Sequence, residues 1–386
     1  LPARAGRGRA SQPGTIDGVP TLTTGVAVAL LATTLAGCAV ATDQPTEQVS
    51  ADHEAAGQTD TPTALPDGGQ DTTEAAASEG ATDREARPSA YALALLVVPQ
   101  SATHLTVTDY DAVRTRLGVP GLTSQDLMTD RLEFWRAAEA TTVLLTDGLL
   151  RPENSRYDLT YDFTQDDVDA EVRWTGDAGA GFLLALRPGL DLDLVVTAVE
   201  DGAPGLDEAV LDPVTATVRS DGEPADVWAM NPVLAEVGDL PAESLIVRAG
   251  CVPFGTALGV EATVEDQQAV LADHDVAALE PVEAVAIGFT ADRATVRLAY
   301  AEGAAADVIE ADLQARLALV ADWPTTEAIG FADGFGDGAV TGVDGTTGEL
   351  EYAVANPAAA ANLALADLVP VGVCNEVEPL AEPTGL

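Results

Sequence analysis

Beyond residue 90 the chain holds two histidines, two cysteines and a great excess of carboxylates, and these are the side chains that could do chemistry. His274 lies in Asp273-His274-Asp275. An imidazole flanked by acids could act as a general base or a metal ligand. The structural alternative is a solvated residue at a helix end, where the dipole favours a cation. No second ligand stands at metal-binding spacing from it. His104 lies beside an expected strand start. The sequence has no Gly-x-Ser-x-Gly elbow, Walker loop, His-Glu-x-x-His or Cys-x-x-Cys. No catalytic residue, metal ligand or cofactor site is therefore assigned.

The 63 acidic residues make any single acid pair uninformative. Asp166, Asp167, Asp169 and Glu171 read as a turn and the polar face of a strand. Nothing selects a pair for glycosidase-type chemistry. The stretch from Asp333 through Asp337 and Gly338 to Asp344 echoes a calcium loop. It has Phe335 at the third position and lacks the closing Glu, so it reads as a Gly-rich turn between strands. Trp135, Trp174, Trp228 and Trp323 could line a ligand site. In a chain that is 4% aromatic they read as core anchors.

Cys38 stands apart from the other cysteines. Arg4, Arg7 and Arg9 precede an apolar run from Gly25 to Ala36. A charged start followed by a short apolar core is the pattern of an export signal. The run falls short of the roughly 20 apolar residues a membrane-spanning helix needs. It ends in Leu35-Ala36-Gly37-Cys38, which resembles the lipobox of bacterial lipoproteins. The resemblance implies cleavage between Gly37 and Cys38, and acylation of the Cys38 thiol. Two or more acyl chains give stable anchoring where one is marginal. The expected address is the outer face of the cell membrane, with the lipid bilayer as partner through acylated Cys38.

Charge excludes other partners. The chain has 18 basic and 63 acidic residues, a net charge of −45, and no lysine. Nucleic-acid binding needs clustered Lys and Arg, so no nucleic-acid partner is expected. Docking of the folded part on anionic lipid is disfavoured for the same reason. The Ala-, Gly-, Asp-, Val- and Arg-rich composition fits a GC-rich genome.

The elements that would position any site follow from pattern. Residues 38–90 are a low-complexity Ala/Thr/Pro/acid segment, expected to be a disordered tether. A flexible chain of about 50 residues spans about 40 Å root-mean-square. Order is expected from near Tyr91. Tyr157, Leu159, Tyr161 and Phe163 alternate with polar residues, which predicts a strand. Thr164–Asp167 turns the chain into a second alternating strand, Val168 to Trp174, for a hairpin. Phe182–Leu186 reads as a buried strand. A helix over Leu192–Val199 stops at Gly202. Another is expected to open at Thr123 with Asp126, carrying Met128, Leu132 and Trp135 on one face. The fold class is α+β with antiparallel pairing.

Landmarks recur in one order along the chain. Leu105-Thr106-Val107, Leu117-Gly118-Val119 and Thr123-Ser-Gln-Asp126 match Leu245-Ile246-Val247, Leu258-Gly259-Val260 and Thr263-Val-Glu-Asp266. Phe163-Thr-Gln-Asp166 matches Phe289-Thr-Ala-Asp292, and Val172-Arg173 matches Val296-Arg297. Each half then has an amphipathic helix, the second carrying Ile309, Leu313, Leu317 and Val320. Asn231-Pro232 and Asn356-Pro357 follow, each a normal helix start. Two similar halves are expected, 91–244 and 245–376, before a disordered tail at 377–386. Cys251 follows the strand Leu245–Arg248, and Cys374 follows an expected strand at Val369–Val373. Two cysteines ending equivalent strands of an exported protein predict a Cys251–Cys374 disulfide.

Residues 91–376 also resemble actinobacterial cell-envelope lipoproteins of unknown function. That resemblance implies an address and supplies no functional residue. The expected function is a non-catalytic binding or interaction module, with an envelope protein or a small ligand as partner. The alternative is an extracytoplasmic hydrolase using carboxylates.

Overall fold

The computed structural model describes residues 88–381, apart from 178, 221 and 223–225. The signal segment, Gly37, Cys38 and the tether as far as residue 87 lie outside the described residues. Alternating patterns give ten strands among those described. They are β1 (Ala102–Asp109), β2 (Val168–Gly176), β3 (Gly179–Leu186), β4 (Ala209–Asp212) and β5 (Thr217–Ser220). Then come β6 (Ser244–Ala249), β7 (Val282–Thr290), β8 (Arg293–Tyr300), β9 (Phe335–Asp344) and β10 (Thr347–Val354). All join in one antiparallel sheet of order β4-β5-β3-β2-β1-β6-β7-β8-β10-β9. With its helices this is an α+β fold.

Read outward from the centre, β1-β2-β3-β5-β4 on one side answers β6-β7-β8-β10-β9 on the other. The central β1–β6 pair sets Thr106 opposite Ile246, Leu105 opposite Val247 and Val107 opposite Leu245. The two matched tripeptides thus meet face to face at the middle of the sheet. Asn231 and Asn356 correspond as well. Each caps a helix opened by proline, Pro232–Val237 and Pro357–Leu365, and accepts from two backbone N–H groups. Such a cap stabilises a helix by about 1 kcal/mol.

Other landmarks do not correspond. Val172 and Arg173 lie in β2, the first strand out from the centre, whereas Val296 and Arg297 lie in β8, the second. By register, Arg173 pairs with Thr106 as Ile287 pairs with Ile246. The Phe163–Asp166 segment enters β2, while Phe289–Asp292 ends β7 and turns into β8.

Four local expectations are corrected. Residues 157–163 are not a strand, because Asn154–Tyr161 is a helix ended by Asp162 in the left-handed region at φ 57°. Tyr157 and Tyr161, four apart, bury one helical face and Leu159 is 88% exposed. Period two over so few residues also satisfies the i, i+4 spacing of a helix. The expected helix at Thr123 starts instead at Met128 and runs to Thr141. Met128 and Leu132 face solvent, and the helix buries Arg131, Phe134, Trp135 and Ala138. Arg131 turns inward because its Nε donates to the buried Asp166 carboxylate at 2.6 Å. Third, Val369–Val373 is a 3-10 turn at Pro370–Gly372, since Pro370 lacks the N–H a strand ladder needs. Fourth, the expected disordered tail is held as far as Leu380. Gln267 Nε2 donates to the Glu378 carbonyl at 2.8 Å, and the Leu380 N–H donates back to its Oε1 at 3.0 Å.

Cys251 and Cys374 form a disulfide with Cα atoms 5.0 Å apart and a sequence separation of 123. Two hydrogen bonds set the two segments side by side. Val252 N–H donates to the Gly372 carbonyl at 2.8 Å, and Cys374 N–H donates to the Val252 carbonyl at 2.8 Å.

Candidate functional site

Strand alternation divides the central residues between two faces. Leu105, Val107, Val172, Trp174, Leu245 and Val247 point to one face. There the Ala90–Leu95 helix, Trp228 and the Pro232–Val237 helix cover them. The intervening residues point to the other face and are mostly polar. Across it, Thr175, His104 and Arg248 stand in one row, and Arg173, Thr106 and Ile246 in the next.

That second face is covered only at its sides. The Ala306–Ala321 and Pro357–Leu365 helices bury the β7, β8 and β10 residues. The Met128–Thr141, Asn154–Tyr161 and Leu192–Glu200 helices bury those of β3 and β5. A cleft of about 460 Å³ remains over the central strands. Thr106, His104, Arg173 and Ile246 line it from the sheet, with Leu145, Leu365 and Asp367 around them.

Asp367 follows the Pro357–Leu365 helix at φ 57°, a left-handed position that Asp tolerates better than most residues. This turn aims its carboxylate at the strand ends. His104 Nε2 lies 3.0 Å from Asp367 Oδ2, and Arg248 Nη1 donates to the same oxygen and lies against His104 Nε2. Burial pushes the Asp367 carboxyl up. The His104 hydrogen bond and the Arg248 charge outweigh burial and hold it below the usual 3.8. Arg248 Nε donates to the Cys251 carbonyl at 2.9 Å, so the disulfide-bonded residue also fixes the guanidinium.

Glu171 lies fully buried beneath this surface. It accepts from Arg173 Nε at 2.6 Å, from Leu149 N–H at 2.8 Å and from Gln165 Nε2 at 3.3 Å. Burial pushes its carboxyl above 4.5, against the pull of the Arg173 charge. Arg173 is half-buried, and among the described residues its two terminal nitrogens have no hydrogen-bond partner. They border the cleft.

The chemistry on offer is recognition of charge. Arg248 and His104 share the Asp367 carboxylate, while Arg173, held by Glu171, lines the cleft with Leu145, Ile246 and Leu365. Hydrolysis by paired carboxylates needs two acids facing one substrate. Asp367 is the one carboxylate lining the cleft among the described residues, and Glu171 is enclosed by its donors. Thr103 Oγ1 lies 2.9 Å from His104 Nδ1, which completes a hydroxyl–imidazole–carboxylate chain. Its carboxylate is already shared with Arg248.

The remaining sequence candidates lie elsewhere. His274 ends the Val264–Asp273 helix and lies 3.2 Å from the exposed Asp322 carboxylate. Asp333 accepts from the Gly330 N–H at 2.8 Å, while Asp337 and Asp344 belong to the extended β9, so no calcium loop closes around them. Among the described residues no group of three or more His, Cys, Asp or Glu side chains is placed to hold a metal ion. Trp135, Trp174 and Trp228 are buried, and Trp323 packs edge-on against Phe254 at 5.3 Å. Sequence reasoning missed Arg173, Arg248 and Asp367 as a group. Alternation did set Arg173 on the face opposite Trp174, but no local pattern marks Asp367.

No protein-family model, curated protein or solved structure matches the chain. Among the described residues no helix is long and apolar enough to cross a membrane.

Proposed function

We propose that the chain is an extracytoplasmic lipoprotein, anchored through acylated Cys38, whose folded part binds a small ligand without transforming it. The observation carrying the binding reading is the cleft over the central strands, between the helical coverings of the two halves. Ligand sites favour such junctions. The volume of about 460 Å³ falls within the range of roughly 300–1,000 Å³ usual for small-molecule sites. The anchoring reading rests on the Leu35-Ala36-Gly37-Cys38 sequence. We further propose that the halves descend from one duplicated unit, supported by the mirrored strand order and the paired Asn-Pro helix starts.

Two experiments test the reading. Cys38→Ala should release the protein from membranes or block its maturation, and unchanged processing with unchanged membrane retention would overturn the anchor. For binding, wild type and Thr106→Trp, which fills the cleft floor, are screened by thermal shift against a broad small-molecule panel. Compounds that raise the wild-type midpoint and leave the equally folded variant unmoved support the cleft. A panel without such a compound counts against it.

A further inference from the structure

The cleft has walls of two kinds, and this names a ligand class. The inference rests on the binding reading above. In a chain with 63 acids and 18 arginines, basic groups are scarce. Several are spent inside the protein. Arg114, Arg131 and Arg316 are buried and bonded to carboxylates and backbone carbonyls. Arg173 and His104 instead line the cleft, with Arg248 beside His104 and on the Asp367 carboxylate. Glu171, the acid partner of Arg173, is fully buried and lies behind it.

Arg173 is the better placed to recognise a ligand. Its Nε is committed to Glu171, which holds the side chain, while its terminal nitrogens are free of hydrogen bonds among the described residues. A guanidinium held at one edge and open at the other suits a planar anion such as a carboxylate. The opposite side of the floor is apolar. Ile246 lies across Thr106 from Arg173, and Leu365 stands beside the cleft 50% exposed. A small recess lined by Ile246, Val285, Ile287 and Val369, and also by the paired Arg248 and Asp367, adjoins it. At corresponding strand positions the first half has Arg173 and the second Ile287. One wall therefore fits negative charge and the other fits hydrocarbon.

We propose that the cleft binds an amphipathic anion, with its carboxylate on Arg173 and its apolar tail over Ile246 and Leu365. The test uses the full soluble part of the chain and four probes: octanoate, octanol, acetate and octylamine. Calorimetry should give octanoate the tightest binding, with octanol, acetate and octylamine each weaker. Loss of one charge-assisted contact is worth roughly a 10- to 100-fold change in affinity. Arg173→Gln, made together with Glu171→Gln so that no unpaired acid stays buried, should weaken octanoate by that factor and leave octanol unchanged. Arg173→Lys, which keeps the charge and removes the fork, should fall between. Equal binding of octanoate and octanol, or octanoate binding indifferent to both Arg173 variants, would overturn the proposal. Octanol bound as tightly as octanoate, with both lost in Thr106→Trp, would remove the anion and keep the cleft as a binding site. No binding by any of the four also overturns it, and the broad panel then judges the binding reading by itself.

Discussion

Arg316 is fully buried in the Ala306–Ala321 helix, and its removal should be among the most damaging single changes to this fold. Its Nε donates to Asp312 Oδ2 at 2.6 Å, one helical turn earlier. Nη1 donates to the Val371 and Val373 carbonyls at 3.0 and 2.9 Å, and Nη2 to the Glu280 carbonyl at 2.8 Å. Asp312 in turn accepts from the Tyr300 hydroxyl at 2.7 Å and the Glu280 N–H at 2.8 Å. One ion pair thus ties the helix to the entry of β7, the end of β8 and the turn leading to Cys374. Arg316→Met keeps most of the volume and leaves a buried carboxylate and three carbonyls without their donor. Breaking one partner of a buried pair costs about 3–5 kcal/mol. At roughly 2–4 °C per kcal/mol for a domain of this size, the midpoint should fall by about 10 °C. Urea unfolding followed by tryptophan fluorescence measures the loss directly. Replacing both charges, Asp312→Leu with Arg316→Met, removes the unpaired acid and should recover part of that loss, so the two changes are not additive. A single-variant loss below about 1 kcal/mol, or strict additivity in the double variant, would refute the clamp reading.

Three other outcomes follow from the same geometry. Replacing Cys251 and Cys374 together by serine opens a loop closed at a sequence separation of 123, and should cost about 4–5 kcal/mol in urea unfolding. An unchanged midpoint would show that the disulfide does not constrain the chain. Asn356→Ala removes the side-chain acceptor of the Ala358 and Ala359 N–H groups and should cost about 1 kcal/mol. Asn356→Gly, which keeps the cap backbone accessible, should cost less, and the reverse order would contradict the capping role. Glu171 holds its proton above 4.5 in the folded chain, so the native state binds that proton more tightly than the unfolded state. Its contribution therefore weakens stability as pH rises from 4.5 through the raised folded value. Glu171→Gln should flatten that part of the stability–pH curve, and a slope identical to wild type would argue against burial as the cause.

What the sequence disclosed was local. Strands with one apolar face, such as Val168 to Trp174, announce themselves through period two. Thr263 with Asp266 announces a helix start, and the structure has both arms of that capping box. Errors arose where a distant partner overrode the local pattern. The apolar stripe Met128–Leu132 pointed one way along its helix. Arg131 turned the helix the other way, because a buried carboxylate 35 residues later was waiting for it. Tyr157 and Tyr161 read as alternation, yet their packing against Phe163, with the Tyr157 and Phe163 rings 5.4 Å apart, is that of a helical face closing over the chain that follows.

The cleft escaped sequence reading for a different reason. Internal matching detects positions that are alike in the two halves, and those positions hold the scaffold: Leu105 with Leu245, Val107 with Val247, Asn231 with Asn356. Across the central strand pair, several residues on the cleft side differ at corresponding register positions, Thr106 against Ile246 among them. By register, His104 answers Ser244, Thr108 answers Arg248, and Arg173 answers Ile287. Two identical halves would put the same group on both sides of the central pair, giving a cleft cationic throughout or apolar throughout. In the Thr106 row the β2 side carries Arg173 and the β6–β7 side carries Ile246 and Ile287, and under the proposed binding reading this difference orients a ligand with unlike ends. Exchanging the two walls, by Arg173→Ile with Ile246→Arg, should therefore not restore octanoate binding even if the protein folds. Arg248, Asp367 and Glu171 would remain where they are, and the anion would meet a guanidinium without the buried carboxylate that holds Arg173 in place.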